Sequence, residues 1–198
     1  MAARLLAFSG SARTGSLNQA LVDLAAAAAR ERGAEVTSIR LTDFDLPIYG
    51  GDLEQAGFPA AALELQGLLR AHHGFLIASP EHNGTVSALL KNAIDWGSRP
   101  VPGHAIISGF RNKVAGIMGA SISPFGTLRS LTHLRHVLST IQTVVATEQV
   151  MIPFAQAAFD EAGLLKEQLP AQLMGMMVDR VIDLCKRLDP PVTQADVR

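Results

Sequence analysis

A chain of 198 residues that is 48% hydrophobic can bury the core of one domain without a second. Its 17 Lys+Arg and 18 Asp+Glu leave a formal charge of −1, which excludes recognition of nucleic acid through bulk charge. One cysteine, Cys185, excludes an internal disulfide and any cluster or zinc site built from several thiolates, and it fits a reducing, cytoplasmic setting.

Residues 4–8 form a short apolar run closed by Ser9-Gly10-Ser11, the length and punctuation of a strand buried on both faces. The text turns polar where a signal peptide would stay apolar, so this segment reads as structure rather than a leader. Ser16 is a capping-type residue that opens a helix to residue 32, with Gly33 as its stop. Residues 35–41 alternate as a second strand, and 42–58 is a long connection carrying Pro47, Gly50, Gly51 and Gly57, a candidate wall of a site. Pro59 opens a second helix through residue 72, and residues 75–78 follow as a third strand. Ser79-Pro80-Glu81-His82-Asn83-Gly84 breaks the pattern before helical periodicity resumes over 87–96. Residues 113–118 are the fourth strand, ended by Gly119-Ala120-Ser121; 127–141 is a helix, 143–146 the fifth strand, and 161–187 a last helix interrupted near Pro170. The end from residue 190 on, with Pro190 and Pro191, reads as a frayed tail. No helical stretch approaches the roughly 20 apolar residues that a bilayer requires, so a soluble protein without a membrane is expected.

Strand and helix alternate throughout, which selects a parallel sheet with helices on both faces because each crossover returns right-handed. The expected fold is α/β, one domain over 1–198: a flavodoxin-like, doubly wound sheet of five parallel strands in the order 2-1-3-4-5. In that order the loops after strands one, three and four meet at the topological switch point, where ligands bind.

The first loop, Gly10 to Asn18, joins a strand to a helix N-terminus, whose free N–H groups and dipole favour an anion. Ser11 and Ser16 add hydroxyl donors, and Arg13 adds a planar cation able to grip two phosphate oxygens. The absence of GxxxxGK[ST] and of GxGxxG points to a terminal monophosphate rather than a triphosphate or pyrophosphate. Plain capping of a helix is the competing reading, but a cap needs no arginine at the positive end of a dipole. In the second loop, Pro80 fixes the chain and the amides after it can face the edge of a flat heteroaromatic ring. Glu81 is placed to shape the loop through backbone hydrogen bonds. A tight turn with Asn83 and Gly84 in left-handed conformations is the alternative for this segment alone.

Gly10-Ser-x-Arg-x-x-Ser16-x-Asn18, Ser79-Pro-Glu-His-Asn-Gly84 and Leu90-Lys-Asn-Ala-Ile-Asp-Trp96, in this order and spacing, resemble the NAD(P)H-dependent FMN reductase family, which includes quinone and chromate reductases. The resemblance covers residues 4 to 150. It implies that Ser11, Arg13, Ser16, Leu17 and Asn18 bind the phosphate of FMN, that Pro80, Glu81, His82, Asn83 and Gly84 line the isoalloxazine, and that Ser121 closes the remaining side. His82 stands where the resembling family usually has Tyr. The implied activity is hydride transfer from NADPH or NADH to bound FMN, followed by electron transfer to a small acceptor such as a quinone, a flavin, an azo compound or chromate, with no catalytic side chain because the cofactor carries the chemistry. A homodimer or homotetramer is implied as well. Two other classes remain open: a non-catalytic FMN carrier, disfavoured by the near-neutral charge, and a regulatory domain that binds a nucleotide monophosphate.

On the helix after the second loop, Lys91 and Asp95 are spaced for an i, i+4 pair; the resemblance, in which this helix packs against a partner subunit, implies that the only tryptophan, Trp96, anchors that contact. His133 and His136, with Arg129 and Arg135, read as a partly exposed helix face rather than a metal site. Met174, Met176 and Met177 read as fillers of core or interface gaps and Cys185 as an inert buried thiol; no metal is expected.

Overall fold

Side chains alternate along the strands and divide the core into two halves, one on each face of the sheet. The computed structural model describes residues 1–188, so the tail from residue 190 lies outside the described residues. β1 (Arg4–Ser9), β2 (Glu35–Ser38), β3 (Gly74–Ala78), β4 (Val114–Ala120) and β5 (Val144–Ile152) run parallel in the order β2-β1-β3-β4-β5, the flavodoxin-like order expected. Leu5, Ala7, Leu76, Ala78 and Met118 belong to the half-core shared with α1 (Leu17–Glu31) and α6 (Gln168–Leu188). Leu6, Phe8, Phe75, Ile77 and Ile117 belong to the other, shared with α3 (Ala60–Ala71), α4 (Ala88–Gly97) and α5 (Leu128–Thr140), while a short α2 (Gly51–Ala56) lies in the connection before α3. β3 and β4 are buried at every residue, which is why their sequence is continuously apolar.

Local chemistry sets most of the boundaries. The Ser16 hydroxyl oxygen accepts from the Gln19 amide at 3.2 Å and starts α1, and Gly33, at φ 80°, ends it. Pro170 lies in the first turn of α6, where a missing N–H is harmless, so the helix begins at Gln168 and not at residue 161. β2 stops at Ser38 and a 3-10 turn, Leu41–Asp43, follows. β5 continues to Ile152, beyond the expected end at 146. Its register explains the difference: Ala115 pairs with Val145 but Ile117 pairs with Gln149, so the polar residues Thr147 and Glu148 sit in an irregularity opposite Gly116. Glu148 there accepts from Arg180 of α6 at 3.0 Å.

The connection 42–58 is fastened from within. Trp96, expected at a subunit contact, is fully buried by its own chain. Its indole N–H donates to the Pro47 carbonyl at 2.7 Å, and Tyr49 and Phe58 meet its ring edge-on with centroids at 5.1 and 5.2 Å. One turn earlier, Asn92 donates to Pro47 O at 3.0 Å and accepts from the Tyr49 amide at 2.8 Å. Trp96 is therefore an internal clamp. The Lys91–Asp95 pair forms as expected, at 2.6 Å on the exposed side of α4. Met174, Met177 and Cys185 are buried, whereas Met176 is exposed.

Gly119, near the end of β4, marks a close approach of two loops. A Cβ there would overlap the Thr127 hydroxyl and lie 2.7 Å from the Ser79 carbonyl oxygen. Gly67, inside α3, has open space around the same point. Gly119→Ala is expected to destabilise the fold by about 1–3 kcal/mol through overpacking. Gly67→Ala is expected to stabilise it by about 0.5–1 kcal/mol through helix entropy. Urea melts of the two variants check the opposite signs.

Candidate functional site

Hydrogen bonding carries the parallel ladder past the strands into the loops. The Gly10 amide donates to Ala78 O at 2.8 Å, the Ser79 amide to Met118 O at 2.9 Å and the Ser121 amide to Ile152 O at 3.0 Å. The three loops expected at the switch point thus start side by side along one edge of the sheet.

The loop after β1 is held at both ends and open between them. The Ser87 hydroxyl, at the N-cap of α4, donates to Gly10 O at 2.5 Å. Gly10 tolerates no side chain, because its Cβ would stand 2.7 Å from the Leu90 Cβ. At the other end the Asn18 amide group is paired on both sides with Ala120: its nitrogen donates to Ala120 O and its oxygen accepts from Ala120 N, each at 2.9 Å. Asn18 is buried, and this side chain ties the first turn of α1 to the end of β4 while its nitrogen keeps a second N–H. Residues 12–15 are exposed. Among the described residues, the amides of Ala12, Thr14, Gly15, Ser16, Leu17 and Asn18 meet no protein acceptor, and Arg13 has no ion-pair partner. The first turn of α1 contains no acidic residue to neutralise its dipole. Ser11 Oγ accepts from the Arg13 amide and Ser16 Oγ from that of Gln19, so each hydroxyl keeps its proton as a donor. These donors fit a phosphate.

The loop after β3 is a two-residue reversal. His82 and Thr85 exchange backbone hydrogen bonds at 3.0 Å around Asn83 at φ 51° and Gly84 at φ 79°, the left-handed pair weighed from the sequence. His82 and Asn83 are exposed, whereas Pro80 is buried and the Ser79 and Ser130 hydroxyls, 2.8 Å apart, gather at its carbonyl. The His82 amide is engaged by the turn, which leaves the amides of Glu81, Asn83 and Gly84 without protein acceptors among the described residues. His133 places its Nδ1 2.9 Å from the Thr85 hydroxyl, so α5 also supports this loop; His133 and His136 are exposed on that helix.

Glu81 does what its position suggested, and more. Its side chain is only 6% exposed; Oε2 accepts from the Arg129 and Ser130 amides at 3.2 and 3.3 Å, and Oε1 accepts from Arg129 Nε at 2.6 Å and pairs with Arg129 Nη2. The carboxylate therefore caps α5 from another loop, at a helix whose N-cap residue, Thr127 at φ 70°, provides no side-chain cap of its own. Thr127 Oγ1 is buried with no hydrogen-bond partner among the described residues. Ser121 uses its amide in the ladder and its hydroxyl in a 3.1 Å bond to Ser123, so it fixes the course of the loop after β4. Arg129 was legible in the sequence only as part of a basic helix face; its bond to Glu81, 48 residues away, had no local signal. Among the described residues no group of three or more His, Cys, Asp and Glu could hold a metal ion, and no helix is long and apolar enough to cross a membrane.

Burial alone would raise the Glu81 carboxyl, but the hydrogen bonds and charge of Arg129, with the Ser130 amide, outweigh it and hold the group below the ordinary glutamate value. The unfolded chain binds the proton more readily, so the stabilisation is complete above the ordinary glutamate range and is lost as pH falls through the depressed value. Thermal melts between about pH 6 and about pH 3 should show the wild type losing more stability on acidification than Glu81→Gln, which has no such proton to bind.

Residues 3–157 match the family model for NADPH-dependent FMN reductase. The chain is 37% identical over 173 residues to an NAD(P)H-dependent FMN reductase of Pseudomonas aeruginosa, spanning 86% of this chain and 89% of that one. It is 32% identical over 152 residues to a 2-hydroxy-1,4-benzoquinone reductase of Burkholderia sp, spanning 76% and 78%. Among solved structures, the flavoenzyme NAD(P)H:(acceptor) oxidoreductase FerB of Paracoccus denitrificans is similar with a TM-score of 0.76 at 25% identity, over 93% of this chain and 98% of that one. An apo NADH:FMN oxidoreductase shares the fold with a TM-score of 0.72 at 20% identity, over 99% and 94%. With its sheet order in agreement with these structures, the chain belongs to the NADPH-dependent FMN reductase family and is an oxidoreductase whose cofactors are FMN and a reduced nicotinamide.

Proposed function

We propose that the three loops form one FMN site and that this enzyme passes electrons from NADPH or NADH to small acceptors, quinones first among them. The observation that carries the reading is the run of unmatched amides beside Arg13 at the start of α1. Ser11, Arg13, Ser16 and the amides of Leu17 and Asn18 would hold the phosphate, while the Asn18 side chain positions that turn against β4. Pro80 and the free amides of Glu81, Asn83 and Gly84 would take the isoalloxazine edge, with His82 beside it and Ser121 directing the opposite loop.

When bound, FMN would supply the acceptance of a hydride from NAD(P)H, with a proton taken from solvent, and the delivery of two electrons and two protons to an acceptor such as a quinone. The free amides of the loop after β3 would stabilise negative charge on the reduced ring, because donors fixed by a folded loop need no reorganisation. Arg13 and the helix dipole keep the phosphate end anchored. The formal charge of −1 disfavours the alternative of an acidic electron carrier. We extend the reading to free flavin, azo compounds and chromate as acceptors, to the cytoplasm as its location on the strength of the single buried cysteine, and to a homodimer or homotetramer. Large apolar side chains left at the surface, Ile48 and Ile106 among them, support an oligomer.

Arg13→Ala should weaken FMN binding by about 1.5–3 kcal/mol, roughly 10- to 100-fold in Kd, while the melting temperature of the apoprotein is little changed; stoichiometric flavin after dilution would remove Arg13 from the site. Anaerobic stopped-flow mixing of the holoenzyme with NADPH or NADH, then with a quinone, tests the activity. Bleaching of the flavin without a second protein and its recovery on quinone addition are expected, and a flavin that neither nicotinamide reduces would overturn the reading.

A further inference from the structure

One aromatic ring beside the site is held out in solvent by groups that would otherwise have no reason to meet. Phe125, in the loop between β4 and α5, is 56% exposed. The Arg129 guanidinium lies 4.9 Å from its ring centroid, within range of a cation–π contact. Arg129 is pinned through Nε and Nη2 to the enclosed Glu81 carboxylate of the neighbouring loop, and its Cδ is 3.9 Å from where a Gly84 Cβ would be. Its side chain is 56% exposed, and Nη1 makes no hydrogen bond to a described residue. Phe125 thus rests on a guanidinium whose rotamer is fixed by the loop that we assign to the isoalloxazine, and the ring is left largely exposed beside that charge.

Arg129 supplies the charge next to the ring. Among the described residues Glu81 is the only carboxylate bonded to Arg129, and it faces inward onto the N-terminus of α5, so what the pair presents outward is cationic.

Resting on the flavin-dependent reading above, we propose that Phe125, held by Arg129, is the specificity-determining surface for the electron acceptor. It stacks planar acceptors, and the free edge of Arg129 favours those with an ionised oxygen, such as hydroxyquinones. Phe125 offers π surface at little entropic cost because its support is already rigid. Arg129 is a positioning residue for the ring and a donor to the anion.

Steady-state kinetics of the holoenzyme, expressed per bound flavin, test this with 2-hydroxy-1,4-naphthoquinone, 1,4-naphthoquinone and ferricyanide, which has no ring to stack. Phe125→Ala is expected to raise KM for both quinones roughly three- to tenfold relative to ferricyanide. Phe125→Leu should do the same if the alanine variant folds poorly, and Phe125→Tyr should restore the ratio. Replacing the pair together, Glu81→Gln with Arg129→Gln, strands no buried charge and should lower the preference for the hydroxylated over the plain quinone by a similar factor. An unchanged quinone-to-ferricyanide ratio in Phe125→Ala, while the wild type turns over all three acceptors, overturns the proposal and leaves the flavin reading standing. A dimer or tetramer that falls apart in Phe125→Ala assigns the ring to a second copy of the chain and overturns it too. A wild type that binds no FMN overturns both.

Discussion

The pairing of the Asn18 side chain with both peptide groups of Ala120 is the constraint on which the geometry of the site depends. A helix N-terminus can present its amides to a ligand only if something other than the ligand fixes where it points. Here the amide of Asn18 joins the first turn of α1 to the end of β4, across the intervening β3. Removing it would leave a buried N–H and a buried carbonyl unmatched as well as freeing the turn, so folding and site geometry share one interaction.

The same arrangement recurs at the other loops: groups that shape the site are satisfied internally, and groups left over face outward. Glu81 is turned away from the edge of the sheet and caps α5, which leaves three backbone amides of its loop unengaged. Ser121 uses its hydroxyl on Ser123. Ser79, Thr127 and Gly119 are packed so closely that no side chain fits at Gly119. Among the described residues the outward-facing inventory is therefore dominated by backbone donors, with Arg13 adding a full charge at the start of α1. Such a site suits a cofactor that carries its own chemistry, because it needs to hold and polarise rather than to attack.

Much of this was legible in the sequence, and the limits have physical causes. Apolar runs ended by Gly and Ser, and helices capped by Ser16 and stopped by Gly33, are local signals, and the sheet order followed from their alternation. The extent of β5 was hidden because its middle is a register irregularity with polar residues. Trp96 was misread because its burial depends on a connection that folds back 49 residues away in sequence. The sequence pointed to Asn18 and Glu81 as positions of interest, but their partners, Ala120 and Arg129, are chosen by tertiary structure that no spacing encodes.

The central claim is that a phosphate sits on the amides and Arg13 at the start of α1. The most direct measurement compares the affinity of the apoprotein for FMN and for riboflavin, which differ only in that phosphate. Two or more charge-assisted contacts of about 1.5–3 kcal/mol each predict that FMN binds at least roughly 100-fold tighter. Equal affinities would mean that the phosphate is not held there.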